Sequence, residues 1–472
     1  MVTLLTVLAL AHLVGLITAG AALLTPQRSA EGSVAWILSL ITLPWIAVPA
    51  YWLFGRPRFR GYRTARQPGA SPLREAVRDL GTHVEPYRAR LPEERGGVQA
   101  VERLVQMPFL RGNSAELLID GEETFRSLFE GIDRAERYLL VQFYIIRDDR
   151  MGRELKRRLI ARARDGVRVH LLYDKIGSFG LPSRYGDELR EAGVEVRAFR
   201  SNRRTATPLQ INFRNHRKVT VVDGREGWVG GLNVGDEYLE GDAGLGHWRD
   251  THLYLQGPAV LGLQLSFLED WYWMTDEVLD LEWEPVAGSG DLPALILPSG
   301  PADELETASL LMQHAIHSAV KRVWISSPYF VPDEGVMAAL ELAVLRGVDV
   351  RILVPRRADV LLVHLAKFAF LERLLRAGVQ VFAYRPGVLH SKTLLLDSEI
   401  ATVGTVNLDN RSLRLNFEIT ALVVGREFAD QLHRSFEEDF RRSRPFTLEQ
   451  IEANPLWFRV ASHAAHLLSP LL

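Results

Sequence analysis

The stretch His216-Arg-Lys-Val-Thr-Val-Val-Asp-Gly-Arg-Glu-Gly-Trp-Val-Gly-Gly-Leu-Asn233 decides how the chain is read, because a second copy runs from His390 to Asn407. In each copy the histidine and lysine are two residues apart, which on an extended strand puts both side chains on one face. Asp223 and Asp397 follow five residues after the lysines, each at the start of a turn pair, Asp223-Gly224 and Asp397-Ser398. Each aspartate is therefore expected at a strand end where the chain doubles back. The returning segments end in Gly-Gly-Leu-Asn233 and Gly-Thr-Val-Asn407, where glycine permits close backbone approach and the amides add donors.

The residue types suit attack on a phosphodiester. A neutral imidazole is a nucleophile, an ammonium stabilises negative oxygens, and an amide donates to the same oxygens. One copy supplies half of what is needed, since the leaving alkoxide requires an acid. A second histidine, with an unperturbed pKa of about 6.5, can take that role. Two facing copies would make one site.

The paired His-x-Lys-x4-Asp elements with their trailing Gly-[Gly/Thr]-x-Asn resemble those of the phospholipase D superfamily, and the whole chain, N-terminus included, resembles its bacterial cardiolipin synthases. The resemblance implies two similar phospholipase D-like α/β sandwich domains with one active site at their interface, preceded by an N-terminal transmembrane helical hairpin. It implies His216, Lys218, Asp223, His390, Lys392 and Asp397 as catalytic residues, with Asn233 and Asn407 on phosphate. It also implies His216 as the nucleophile and His390 as the general acid. The family commonly has serine where this chain has Gly231 and Thr405, so the halves are chemically unequal, with less crowding expected around the first histidine.

Two acidic residues are read as histidine-orienting: Asp250, 34 positions after His216, and Glu418, 28 positions after His390. In the superfamily an acid at such a place accepts a hydrogen bond from the motif histidine. A carboxylate on Nδ1 fixes the tautomer and stabilises the imidazolium. On this reading each acid serves the histidine of its own half, Glu418 being the firmer partner. For Asp250 an ion pair with Arg249 is the competing assignment.

At 472 residues with net charge −2 and no cysteine, the chain can bury large cores and excludes disulfides, thiolate metal sites and a cysteine nucleophile. No global charge marks a nucleic-acid binder, and no basic, aromatic-interleaved tract argues for one. No metal or other cofactor is expected; His314 and His317 share a helix face without carboxylate or thiolate companions, and His83, His364 and His433 are read the same way. Val2 to Leu24 and Val34 to Phe54 are uncharged runs, each long enough to span a bilayer, with Trp36, Trp45, Tyr51 and Trp52 suiting the interface. Pro44 and Pro49 are tolerated in such a span. Arg56, Arg58, Arg60, Arg63 and Arg66 beyond the second run, against Arg28 and Glu31 in the connecting loop, place the large C-terminal part in the cytoplasm of a multi-pass inner-membrane protein.

The expected organisation is residues 1–60 as two membrane helices, 61–106 as a connector, 107–287 as the first α/β domain and 288–472 as the second with an apolar tail. Ala163-Arg-Asp-Gly-Val-Arg-Val and Val344-Leu-Arg-Gly-Val-Asp-Val each read as helix end, glycine stop and buried strand. Leu189-Arg-Glu-Ala-Gly-Val and Leu374-Leu-Arg-Ala-Gly-Val match next, then Ser266-Phe-Leu-Glu-Asp-Trp and Ser435-Phe-Glu-Glu-Asp-Phe in late helices. A mixed sheet with helices on both faces follows from that alternation. By resemblance, the substrates are phospholipids, two phosphatidylglycerols giving cardiolipin and glycerol through a phosphohistidine. The alternatives are a phospholipase D-type hydrolase, another headgroup transferase, or a non-catalytic lipid-binding membrane protein.

Overall fold

A computed structural model describes residues 2–24, 30–55, 80–92, 97–200, 212–241, 244, 246–358 and 360–471. The chain builds a sheet of sixteen strands. One of them, Arg214–Asn215, pairs with Asn416–Val424 off the main order; the other fifteen run in one continuous order whose two halves mirror each other about a central antiparallel pair, Leu110–Ile119 against Leu292–Ser299. Outward from the first of these come Thr251–Gln256, Glu226–Gly230, Val219–Val222, Tyr138–Phe143, Arg168–Asp174 and Glu195–Phe199. Outward from the second come Asn416–Val424, Ile400–Gly404, Thr393–Leu396, Arg322–Ser326, Asp349–Pro355 and Gln380–Tyr384, with Ser443–Pro445 on the edge. The order is the same in both halves. In each half three neighbouring strands, Tyr138–Phe143 to Glu195–Phe199 and Arg322–Ser326 to Gln380–Tyr384, pair in parallel and are joined through helices, whereas the inner strands and the edge strand Ser443–Pro445 are antiparallel.

The repeated glycine stops fall where the sequence places them. Helix Arg150–Arg164 ends before Gly166 at φ +90°, and helix Glu334–Leu345 ends before Gly347 at φ +82°, each followed by a buried strand. The late helices, Val260–Thr275 and Arg426–Arg441, share one core with the inner strands. Val260–Thr275 is apolar on nearly every side because it is enclosed on nearly every side: Phe267, Leu268, Trp271 and Trp273 are all buried. That core ties the halves together, so truncating Trp271 to alanine would cost about 3–5 kcal/mol.

At the N-terminus, Val2–Leu23 is one apolar helix of 22 residues. The second uncharged run is not one helix. It divides into Ala30–Thr42 and Pro44–Phe54, because Pro44 has no N–H and its ring excludes the helical conformation at Leu43, which sits at φ −133°, ψ 55°. Among the described residues, only the first helix is by itself long and apolar enough to cross a membrane. The two runs nevertheless pack closely. A Cβ on Gly15 would fall 2.4 Å from the Leu40 carbonyl oxygen, and His12 meets Trp45 edge-on at 5.7 Å. Arg28 and the arginines at 56, 58, 60, 63 and 66 lie outside the described residues, as does the connector apart from 80–92 and 97–106, where Val98–Val105 is a helix.

Candidate active site

Two short parallel pairings across the halves position the motif histidines. Arg214–Asn215 pairs with Asn416–Phe417, so the next residues along, His216 and Glu418, are brought side by side. Gly387–Leu389 pairs with His247–Arg249, and the next residues are His390 and Asp250. Backbone bonds continue the register, from His216 N–H to the Phe417 carbonyl at 2.9 Å and from His390 N–H to the Arg249 carbonyl at 2.7 Å.

The acid partners are therefore exchanged between halves. His216 Nδ1 lies 2.9 Å from Glu418 Oε2, and His390 Nδ1 lies 2.6 Å from Asp250 Oδ2. This corrects the expectation that each acid serves the histidine of its own half. It also removes the Arg249 alternative: Arg249 instead binds Asp439 at 2.9 Å and the Asp250 backbone carbonyl. With Nδ1 held by a carboxylate, each Nε2 is left as the reactive nitrogen.

Lys218 is completely buried and donates to the His216 carbonyl at 2.6 Å, while Lys392 donates to the His390 carbonyl. Lys392 Nζ also approaches His390 Nδ1 at 2.9 Å, but an Nδ1 that donates to Asp250 cannot accept from a lysine, so the carbonyl is the lysine's partner. Two lysines and two buried carboxylates leave the cluster near neutrality. Burial holds the Lys218 ammonium well below its ordinary range. Burial likewise pushes His216 down to about 4, against the opposing pull of Glu418, and lowers His390, helped by Lys392 and opposed by Asp250. Burial alone would raise Asp250 and Glu418, but Lys392 and His390 bring Asp250 down and His216 and Lys218 bring Glu418 down. Burial thus favours the neutral form of both imidazoles, and an arriving anion would raise their proton affinity. Each lysine's charge also reaches the other half's histidine, so the four groups form one electrostatic unit.

Asp223 and Asp397 stand elsewhere, contrary to their grouping with the catalytic residues. Each is at the far end of its hairpin, about 16 Å along the strand from its lysine at 3.3 Å per residue. The Asp223 carboxylate accepts from the N–H groups of Glu136, Arg137 and Tyr138 at 2.8–2.9 Å. Asp397 accepts from Val320, Lys321 and Arg322 in the same way. Both have positive φ, 53° and 52°. They fasten the turn to the neighbouring strand, as the doubling-back of the chain suggested.

Asn233 accepts from the Ile145 N–H at 3.1 Å and donates to the Tyr238 hydroxyl at 3.0 Å. Asn407 bonds the Asp409 carboxyl, and its buried Oδ1 has no partner among the described residues. Both amides are buried beside the site. Gly231 does not relieve crowding around a histidine. A Cβ there would fall 2.0 Å from Asp250 Oδ1, so the carboxylate that serves His390 occupies the space a side chain would need. The equivalent Thr405 instead accepts from the Ile419 N–H and bonds Glu418.

Several residues beside the site have no role assigned from the sequence, Tyr144 being read there only as sharing a strand face with Gln142. Tyr144 meets His216 edge-on at 5.0 Å, and Trp248 lies 5.4 Å from His390. Arg217 pairs with Asp270 at 2.9 Å, as Arg249 does with Asp439. The signal was present, since Asp270 and Asp439 are the matched acids of the two late-helix repeats; only their partners were not visible.

A duplicated α/β sheet presenting two His-Lys pairs at one buried cluster defines a phospholipase D-type phosphoryl-transfer scaffold. The family model described as "Cardiolipin synthase, PLD-like domain" matches residues 128–246 and 312–440, and a "Phospholipase_D-nuclease N-terminal" model matches residues 4–56. Cardiolipin synthase A of Pseudomonas putida (strain W619) is 45% identical over 469 residues, covering 99% of this chain and 98% of that one. Cardiolipin synthase A of Pseudomonas entomophila (strain L48) is 45% identical over 466 residues, covering 98% and 97%. The chain belongs to the cardiolipin synthase family of the phospholipase D superfamily. In fold it is also similar to phosphatidylserine synthase of Haemophilus influenzae Rd KW20, with a TM-score of 0.63, 15% identity, and coverage of 79% of this chain and 100% of that one.

Proposed function

We propose that the protein is a membrane-anchored phosphatidyltransferase that makes cardiolipin from two phosphatidylglycerols and releases glycerol. Its family membership supports the reaction, and the exchanged pairs His216–Glu418 and His390–Asp250 carry the mechanism. His390 takes up a proton on Nε2 as the anionic phosphate arrives and raises its proton affinity; His216 Nε2 then attacks phosphorus, the bond from phosphorus to the glycerol oxygen breaks, and His390 Nε2 gives that oxygen its proton. His390 then takes the proton of a hydroxyl on the second phosphatidylglycerol, whose oxygen displaces His216 from phosphorus. Lys218, Lys392, Asn233 and Asn407 hold the non-bridging oxygens. His216 is assigned the attack by resemblance to the superfamily, and the shorter carboxylate contact at His390 favours the proton-carrying role there.

The N-terminal runs are read as a hairpin with the catalytic part cytoplasmic. The first helix, about 33 Å long at 1.5 Å per residue, matches a hydrocarbon core, and the arginines after Phe54 favour retention inside. Thin-layer analysis of membranes given labelled phosphatidylglycerol tests the reaction. Labelled cardiolipin with equimolar glycerol is expected, whereas phosphatidic acid as the sole product would replace the transferase by a hydrolase.

A further inference from the structure

The His390 imidazole is oriented by Asp250, and Asp250 sits at a break in the sheet. Strand Thr251–Gln256 pairs with Leu110–Ile119, and the last residues in register are Thr251 and Ile119. One step further the partners would be Asp250 and Asp120, but there both segments leave the ladder. Asp250 lies between strands His247–Arg249 and Thr251–Gln256, and Asp120 opens helix Asp120–Arg134. Glu418, which serves His216, is placed differently: it lies inside strand Asn416–Val424, in register with Ser299.

Asp120 carries the ladder one residue past its end. Its N–H donates to the Asp250 carbonyl at 3.0 Å, as a strand residue's would. Its own carbonyl is turned into the helix, where the Thr124 hydroxyl donates to it at 2.8 Å. The Asp250 N–H therefore donates to a side-chain oxygen, Asp120 Oδ1, at 3.0 Å. The carboxylate takes the place of the diverted carbonyl. Such a turn out of the ladder puts Asp120 in the left-handed region, at φ +62°. Aspartate and asparagine are the side chains that both tolerate this region and hold an oxygen close to their own backbone.

The carboxylate is itself fixed from the segment it holds. Alternation along His247–Arg249 sends His247 and Arg249 to one face and Trp248 to the other. His247 Nε2 lies 2.7 Å from Asp120 Oδ2, and Arg249 Nη1 lies 3.6 Å from Oδ1. On the opposite face Trp248 lies 5.4 Å from the His390 ring, and the Asp250 carboxylate meets Nδ1 of that ring at 2.6 Å. One face of the segment is gripped by Asp120, and the other orients His390.

We propose that Asp120 is a positioning residue for proton transfer: it fixes the backbone of Asp250 and, through Asp250, the imidazole of His390. The kinetic part rests on the reading of His390 as the proton carrier of a phosphatidyltransferase, and the geometric part does not. D120G removes the carboxylate while accepting positive φ without strain, whereas D120N keeps an oxygen in the place of Oδ1. In the full-length enzyme D120G is expected to shift or broaden the low-field Nδ1 proton resonance of His390, identified by its loss in Asp250→Asn, and to leave that of His216 in place. In phosphatidylglycerol vesicles its kcat for cardiolipin formation should fall about tenfold or more, with KM within about twofold of wild type. D120N should recover most of the loss in both measurements. Wild-type enzyme that forms no cardiolipin would refute the reading of the reaction, and the two resonances would still decide whether Asp120 holds His390. Equal disturbance of both histidine resonances in D120G, an unchanged His390 resonance, an unchanged kcat, or a D120N as impaired as D120G would each overturn the proposal.

Discussion

The imidazole of His390, in the second half of the chain, is 2.6 Å from the carboxylate of Asp250, in the first half, and His216 and Glu418 repeat the relationship in reverse. Neither half holds its own histidine. An isolated half would have an unoriented imidazole and an unpartnered buried carboxylate, which is unfavourable on both counts.

Exchange of partners predicts a specific pattern of damage. Asp250→Asn should remove the low-field Nδ1 proton resonance of His390 and leave that of His216, and Glu418→Gln should do the opposite. Each should reduce turnover about 10²- to 10⁴-fold by loss of tautomer control. Histidine-labelled NMR of the two variants is the measurement, and loss of the His216 resonance in Asp250→Asn would restore the within-half pairing.

His216→Ala and His390→Ala should each abolish cardiolipin formation, since attack and proton transfer are both required. Lys218→Ala or Lys392→Ala should lose about 10²- to 10³-fold in rate, the range for one charge-stabilising donor. Quenching with a labelled phosphatidyl donor and mapping the acid-labile adduct should place it on the peptide containing His216. Label found only on the His390 peptide would reverse the two roles without removing the two-histidine scheme.

Gly231→Ala puts a methyl where Asp250 Oδ1 lies, at a distance of 2.0 Å. The carboxylate must move, and a displacement of that size in a catalytic constellation costs about 10²-fold or more. Thr405→Ser retains the hydroxyl and should stay within a few-fold of wild type. Steady-state rates of the two variants compare them directly; a fully active Gly231→Ala would mean Asp250 is free to shift.

Asp223→Ala and Asp397→Ala should act on stability. Each carboxylate satisfies three backbone N–H groups, and losing these bonds while placing alanine at positive φ should cost roughly 2–4 kcal/mol. Thermal unfolding should show the loss, while protein that remains folded keeps its kcat. A normal Tm with lost activity would return these residues to the chemistry.

Reporter fusions after Gly32 and after Arg66 should fall on opposite sides of the membrane. Same-side results would mean that one of the two apolar runs does not span, for which the break at Leu43 would make the second run the first suspect.

Much was determined by the amino-acid sequence alone. Both motif copies, the matched glycine stops and the late-helix repeats specify a duplicated α/β scaffold, because periodicity and turn chemistry act over a few residues. The positions of Asp223 and Asp397 at turns were legible for the same reason. Even the division of the second apolar run was written in Pro44, whose missing N–H acts locally. The assignment of acids to histidines was not local. His216 and Glu418 are 202 residues apart and His390 and Asp250 are 140, both farther than the within-half alternatives. Their pairing is decided by the register of two short parallel strands that exist only once the halves have met. The same meeting explains Gly231, whose missing side chain makes room for Asp250 to serve the histidine of the other half.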